Sequence, residues 1–245
     1  MVSQHEDTNN VDWPGIMRFY ENYLLDNPDI APIFWHKDGM PDYKKHIDKN
    51  DIVYKLNSKG LRCDELIKDH TGKTHILFNG CSITAGIGVN IEDTWAYNVY
   101  SDFKNTSGFF NISLPGGSII EIIINTIKYV ESYGVPNYIF ILLPPIHRES
   151  RYIKKDFINN FIYNNYYILE NYCKKNNITL LSTSWADKKN YQMLEQFKTF
   201  RSPDFDKIEY YGDSLHGDDN HHPGKSIHQF WYNQFKDRYE NSWNK

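Results

Sequence analysis

The chain has 245 residues, of which 40% are hydrophobic and 24% charged, and its formal net charge is -4. That length fits one α/β domain with an extension, and the composition is that of an ordinary globular protein rather than a disordered or fibrous one. A negative balance without a basic stripe argues against nucleic acid as a partner, since phosphate contacts supply most of that affinity, and no run of ~18 apolar residues is present to span a bilayer. Cys63, Cys81 and Cys173 stand far apart with no CxxC pair, so reduced thiols are expected rather than a disulfide framework or zinc knuckle. The first twenty residues carry His5, Glu6, Asp7 and Asp12 without a basic cluster ahead of an apolar core. No secretory signal is visible there, and a cytoplasmic location is the expectation.

In chain order, Asp12 and Pro14 have the pattern of an N-cap and an early-turn proline. Ile16, Phe19, Tyr20, Tyr23 and Leu24 then give one apolar helical face, before Pro28 and Pro32 break it. An irregular stretch follows to about residue 50. Tyr54 and Leu56 predict a short strand running into the turn Asn57-Ser58-Lys59-Gly60. Residues 1–73 therefore read as an N-terminal extension, and 74–245 as a single domain.

From residue 74, short apolar runs alternate with segments of helical period, which is the signature of a parallel α/β sheet. The expected strands are His75–Phe78, Phe109–Ser113, Tyr138–Leu143 and Ile178–Leu181. Between them, Trp95, Val99 and Phe103 share a helical face, and Ser118 with Glu121 has the capping-box spacing ahead of the apolar segment 119–130. Phe157, Phe161, Ile162, Leu169 and Tyr172 predict a further helix. Ile227, Phe230, Trp231 and Phe235 predict the last one, with Pro223 in its first turn.

Chemistry concentrates at two points. In Leu77-Phe78-Asn79-Gly80-Cys81-Ser82-Ile83-Thr84 a buried-type strand ends in glycine and delivers a serine in a short turn. That is the strand edge where open α/β sheets bind ligands, and the serine's own N–H there can face a developing oxyanion. Gly86 is followed by Ile87-Gly88 rather than Lys-Ser/Thr, which excludes a phosphate-binding P-loop, and Thr84 stands where a GxSxG elbow needs glycine. Cys81 is an alternative nucleophile, but as Ser82's chain neighbour it is expected to face the other way.

The second point is Gly217-Asp218-Asp219-Asn220-His221-His222-Pro223-Gly224. Asp219 and His222 lie three apart, a spacing that in a tight turn brings a carboxylate onto the imidazole Nδ1–H and leaves Nε2 free to take a serine's proton. His216, Asp218, Asp219, His221, His222 and His228 also supply plausible zinc ligands, although no HExxH helix is present and no metal is expected.

Together, Gly80-x-Ser82-x-Thr84 after the first core strand and Asp219-x-x-His222-Pro223-Gly224 before the last helix resemble the first and last blocks of the SGNH (GDSL) hydrolase family, over about residues 74–240. The resemblance implies a flavodoxin-like three-layer α/β/α fold with a central parallel sheet, acting without a cofactor. It implies Ser82 as nucleophile, His222 as general base and Asp219 as its orienting carboxylate. Asn111-Ile-Ser-Leu-Pro-Gly116-Gly117 resembles the second block, in which a glycine N–H, of Gly116 or else Gly117, joins that of Ser82 in the oxyanion hole. Asn57-Ser-Lys-Gly-Leu-Arg62 resembles a lid or brace found ahead of the first block in some members.

The sequence departs from the family at the third block. Where Gly-x-Asn-Asp normally follows the third core strand, this chain has Pro144-Pro145-Ile146-His147-Arg148-Glu149. The usual asparagine donor is missing, so the hole is either two-membered, from the backbone N–H groups of Ser82 and Gly116, or completed by His147 or Arg148, and replacement is the expectation. The expected activity is hydrolysis of a short acyl ester, acetyl above all, on a carbohydrate or small molecule. A non-catalytic glycan-binding module of the same fold and an acyltransferase are the alternatives. The oligomeric state is not fixed by the sequence.

Overall fold

The computed structural model describes residue 52 and residues 55–186, 188–203 and 222–243. The helix expected from Asp12, Tyr54, and the acidic and histidine-rich stretch from His216 to His221 lie outside the described residues. Among the described residues, no helix is long and apolar enough to cross a membrane.

The apolar runs form strands because each is buried on both faces, as parallel strands under helices must be. In chain order the elements are β1 (Ile76–Gly80), α1 (Ser82–Ala85), α2 (Trp95–Asp102), β2 (Phe110–Asn111), α3 (Ile119–Tyr133), β3 (Tyr138–Leu143), α4 (Ile158–Lys175), β4 (Thr179–Ser184) and α5 (Lys225–Trp243). Short 3-10 turns at Ile91–Asp93, Ile146–Arg151, Lys155–Phe157 and Lys188–Leu194 fill the connections. The sheet is parallel throughout with order β2-β1-β3-β4, registered by Leu77 opposite Phe110, Phe78 opposite Phe140 and Phe140 opposite Leu181. A single bridge from Ser182 to Phe200 extends it past β4.

Consecutive residues of β1 show the two outer layers. Phe78 packs into a buried cluster with Trp95 and Val99 of α2 and Phe235 and Tyr239 of α5. Its neighbour Asn79 points the other way and donates to Ile122 O and Thr126 Oγ1 of α3, both at 2.9 Å. α4 packs beside α3 on that second face. The strand order reverses next to β1, so the carboxyl edge of β1 is the topological switch point at which such sheets bind ligands.

The capping box at α3 forms as its spacing requires: Glu121 N–H donates to Ser118 Oγ at 3.3 Å, and Ser118 N–H to Glu121 Oε2 at 2.7 Å. Six expectations need correction. β1 starts at Ile76 and runs on to Gly80, and β2 is only Phe110–Asn111. Leu56 is in no strand, although the turn that follows forms, with Asn57 Oδ1 accepting from Lys59 and Leu61 N–H. β4 runs on to Ser184, because its polar end is satisfied internally: Ser182 Oγ meets Tyr166 Oη and Ser184 Oγ donates to Ala186 O. The inner face of α4 is Ile158, Ile162, Tyr166, Leu169 and Cys173, leaving Phe157 exposed and Tyr172 half-buried. Pro223 precedes α5 instead of opening it; Gly224 is the residue whose carbonyl takes the first helical bonds, from Ile227 and His228 N–H.

Candidate active site

The carboxyl ends of the four parallel strands bring four segments to one edge. β1 supplies the first. Gly80 is required by close approach: a Cβ there would lie 2.2 Å from Thr84 Oγ1 and 2.9 Å from Leu142 O. Cys81 is extended, and α1 begins at Ser82, with Ala85 N–H making the first bond back to Cys81 O. Ser82 is 7% exposed, and neither its Oγ nor its N–H has a hydrogen-bond partner among the described residues. Cys81 faces away into the α2 and α5 cluster, fully buried, and its Sγ accepts from Trp185 Nε1 at 3.2 Å.

The loop behind the serine is braced from upstream. Arg62, 5% exposed, donates through Nη1 to Gly86 O and to Val89 O, the latter at 2.9 Å. The segment with a lid-or-brace resemblance thus stands as a brace.

The second segment follows β2. Asn111 Nδ2 donates to Thr84 O at 2.7 Å and Leu114 N–H to Gly80 O at 3.0 Å, which fastens the glycine loop alongside the serine turn. Gly116 has φ +78°, a left-handed conformation natural to glycine, and nothing surrounds the place a Cβ would take, so backbone shape alone calls for glycine here. Its N–H has no acceptor among the described residues. The Gly117 N–H closes a turn onto Leu114 O at 2.8 Å. Gly117 therefore has no backbone donor to offer, and of the two glycines considered from the sequence only Gly116 keeps one.

The third segment is Pro144–Arg151. The prolines end β3, and the chain turns into a 3-10 coil. His147 is exposed, with its carbonyl accepting from Ser150 Oγ at 2.7 Å. Arg148 does not pair with its neighbour Glu149; its Nη1 donates to Gly117 O at 2.8 Å, and its guanidinium lies 5.6 Å from the Trp185 ring centroid. Arg151 Nη1 donates to Gly116 O at 3.0 Å. Glu149 is fully buried at the start of α3, where Oε1 accepts from Ile119 N–H at 2.5 Å and Oε2 has no partner. Burial raises its carboxyl to about 7, against the opposing pull of the Ile119 and Ile120 N–H groups.

The fourth is the approach to α5. Asp219 lies outside the described residues, while His222 is half-buried just ahead of the helix. Its near neighbour His228 is wholly buried, and its Nδ1 accepts from Trp95 N–H at 3.2 Å, tying the start of α5 to the start of α2. Burial, then the charges of Arg62 and His222, push the His228 imidazole down to about 3, so it stays neutral. Through Nδ1, His228 serves the packing of α5 on α2. Among the described residues, no three His, Cys, Asp or Glu side chains gather as a metal site.

Sequence reasoning missed Trp185, Glu149 and Arg151. Trp185 directly follows β4, and ending that strand at Leu181 hid its place at the edge. Glu149 reads as a surface acid beside Arg148; no local signal marks it as buried.

No protein-family model matches the sequence, and no curated protein matches it. Solved structures do. The psychrotrophic esterase EstA from Pseudoalteromonas sp. superposes with a TM-score of 0.51 at 15% identity, over 69% of this chain and 98% of the other. A GDSL-like lipase from Bacteroides thetaiotaomicron gives 0.51 at 14% identity, over 72% of this chain and 93% of the other. With its parallel sheet, its helical layers and these neighbours, the chain has the three-layer α/β/α fold of the SGNH (GDSL) hydrolases.

Proposed function

We propose that residues 74–245 form a serine ester hydrolase in which Ser82 attacks the acyl carbon, His222 takes the Ser82 proton and Asp219 orients His222. The observation that carries this reading is the position of Ser82: first residue of α1, at the switch point of the sheet, with Oγ and N–H both unengaged among the described residues. A hydroxyl is a weak nucleophile until a base removes its proton, and the histidine block before α5 is the source of that base. Proton transfer from Ser82 to His222 accompanies formation of the Oγ–C bond. His222 then returns the proton to the departing alcohol, and water repeats the sequence to release the acid.

The oxyanion is held by the backbone N–H groups of Ser82 and Gly116. Of the two side chains considered as a third donor, His147 is exposed and Arg148 already engages Gly117 O. The hole therefore has two donors, and no cofactor takes part. The substrate is a short acyl ester, acetyl above all, of a carbohydrate or small alcohol. EstA was solved inhibited by monoethylphosphonate, and a serine hydrolase reading of this chain predicts the same sensitivity.

Turnover of p-nitrophenyl acetate by the wild type and by Ser82→Ala tests the class. Loss of a triad serine costs at least ~10³ in rate elsewhere, and a drop of that size is expected. Equal rates would end the reading.

A further inference from the structure

The third segment lacks the family's asparagine, yet three of its side chains converge on one stretch of backbone. Arg151 donates to Gly116 O at 3.0 Å, Arg148 to Gly117 O at 2.8 Å, and Glu149 accepts from Ile119 N–H at 2.5 Å. Arg148 and Arg151 stand three apart on a 3-10 coil, whose period of three puts them on the same side. Glu149 points inward between them and is fully buried. Arg148 is steadied in turn by Trp185, and the coil is anchored where Tyr191 Oη donates to Pro144 O.

The held stretch needs holding. A Gly-Gly pair has more backbone freedom than any other dipeptide, and a left-handed Gly116 is one of several shapes open to it. The peptide joining Gly116 to Gly117 is gripped at both ends, its C=O by Arg151 and its N–H by Leu114 O. The next carbonyl is gripped by Arg148. Those two planes fix φ and ψ of Gly117, while the turn closed by Gly117 N–H on Leu114 O has Pro115 and Gly116 as its central residues. The Pro115–Gly116 peptide, which carries the Gly116 N–H, is thus held between that turn and the gripped Gly116–Gly117 peptide, and so is the direction of the N–H.

We propose that Arg148, Glu149 and Arg151 are positioning residues for the oxyanion hole: they clamp the Gly116–Ile119 backbone so that the Gly116 N–H is preorganised for the acyl oxygen on Ser82. The chain replaces a side-chain donor by a fixed backbone donor. This rests on the serine hydrolase reading above. None of the three side chains touches substrate in this scheme, and they act only through the loop, where preorganised donors stabilise the transition state more than the bound substrate.

The test is the steady-state kinetics of the Arg148→Ala/Arg151→Ala double variant, Glu149→Leu and Glu149→Gln, with wild type and Ser82→Ala in the same p-nitrophenyl ester assay and near-UV circular dichroism on each. The clamp predicts that the double variant and Glu149→Leu lose at least tenfold in kcat with KM within about threefold, because ground-state binding is not what the hole supplies. Glu149→Gln, which keeps an acceptor for Ile119 N–H, recovers most of that loss. If Glu149→Leu does not fold, the double variant decides the matter, since Arg148 is half-buried and Arg151 exposed. A double variant with wild-type kcat, while Ser82→Ala is inactive, overturns the clamp and leaves the serine reading standing. A wild type no faster than Ser82→Ala overturns both.

Discussion

Two buried histidines make the residue scale testable through pH. His75 is 1% exposed, stacked on His70 with ring centroids 3.5 Å apart, and its Nε2 shares a hydrogen bond with Tyr129 Oη at 2.8 Å. Burial, then the neighbouring His70, hold its imidazole down to about 4; His228 is held still lower. Both are neutral in the folded chain at a pH where the unfolded chain binds a proton, so their stabilisation is full above the unfolded value of ~6.5 and is lost as pH falls toward 4. At about 1.4 kcal/mol per pKa unit, the His75 contribution is on the order of 3 kcal/mol. Glu149 runs the other way. Its raised carboxyl favours folding below the ordinary range of ~4.3 and loses that contribution as pH rises through about 7. Urea midpoints measured from pH 7 to 4 are expected to fall more steeply for wild type than for His75→Phe. Identical slopes would show that His75 is not kept neutral by the fold.

At the scale of elements, the long apolar runs placed the strands, the capping box placed the start of α3, and the ends of elements were the least legible. β3 matches its apolar run from end to end, because every residue after Tyr138 is buried. β1 and β4 extend past their apolar stretches to Gly80 and Ser184, since Asn79 and Ser182 find partners on α3 and α4 and Ser184 on Ala186 O. Polarity alone cannot announce a satisfied buried hydrogen bond. The positions of the serine turn and the glycine loop were legible because each follows an apolar strand and so falls at the carboxyl edge of the sheet. Glu149 and Trp185 were not, because what defines them is a long-range contact. Arg62 shows how far the site reaches beyond its own blocks, for it crosses from a segment ahead of β1 to the carbonyls of Gly86 and Val89. Arg62→Ala would leave those carbonyls without that donor, at about 1–3 kcal/mol for a buried unsatisfied group. Urea unfolding is expected to register a loss of that order, with kcat reduced as the Ser82 loop loosens. An unchanged midpoint would mean that water or another donor replaces the guanidinium.

At the scale of the whole molecule, a parallel sheet collects the ends of β1 to β4 at one edge, and the reversal of strand order beside β1 opens the crevice there. The fold thereby brings together residues as distant in sequence as Ser82, Gly116, Glu149 and Trp185. Such folds host many activities, so chemistry must be argued from the site itself. The most direct measurement is covalent: incubation with a fluorophosphonate, followed by intact-mass and peptide mass spectrometry. On the proposed mechanism, attack by Ser82 Oγ forms an O–P bond and expels fluoride, with the proton passing to His222. One phosphonyl group is predicted on the peptide containing Ser82, with labelling abolished in Ser82→Ala and strongly slowed in His222→Ala. Labelling that persists in Ser82→Ala, or that falls on Cys81 instead, would contradict the account.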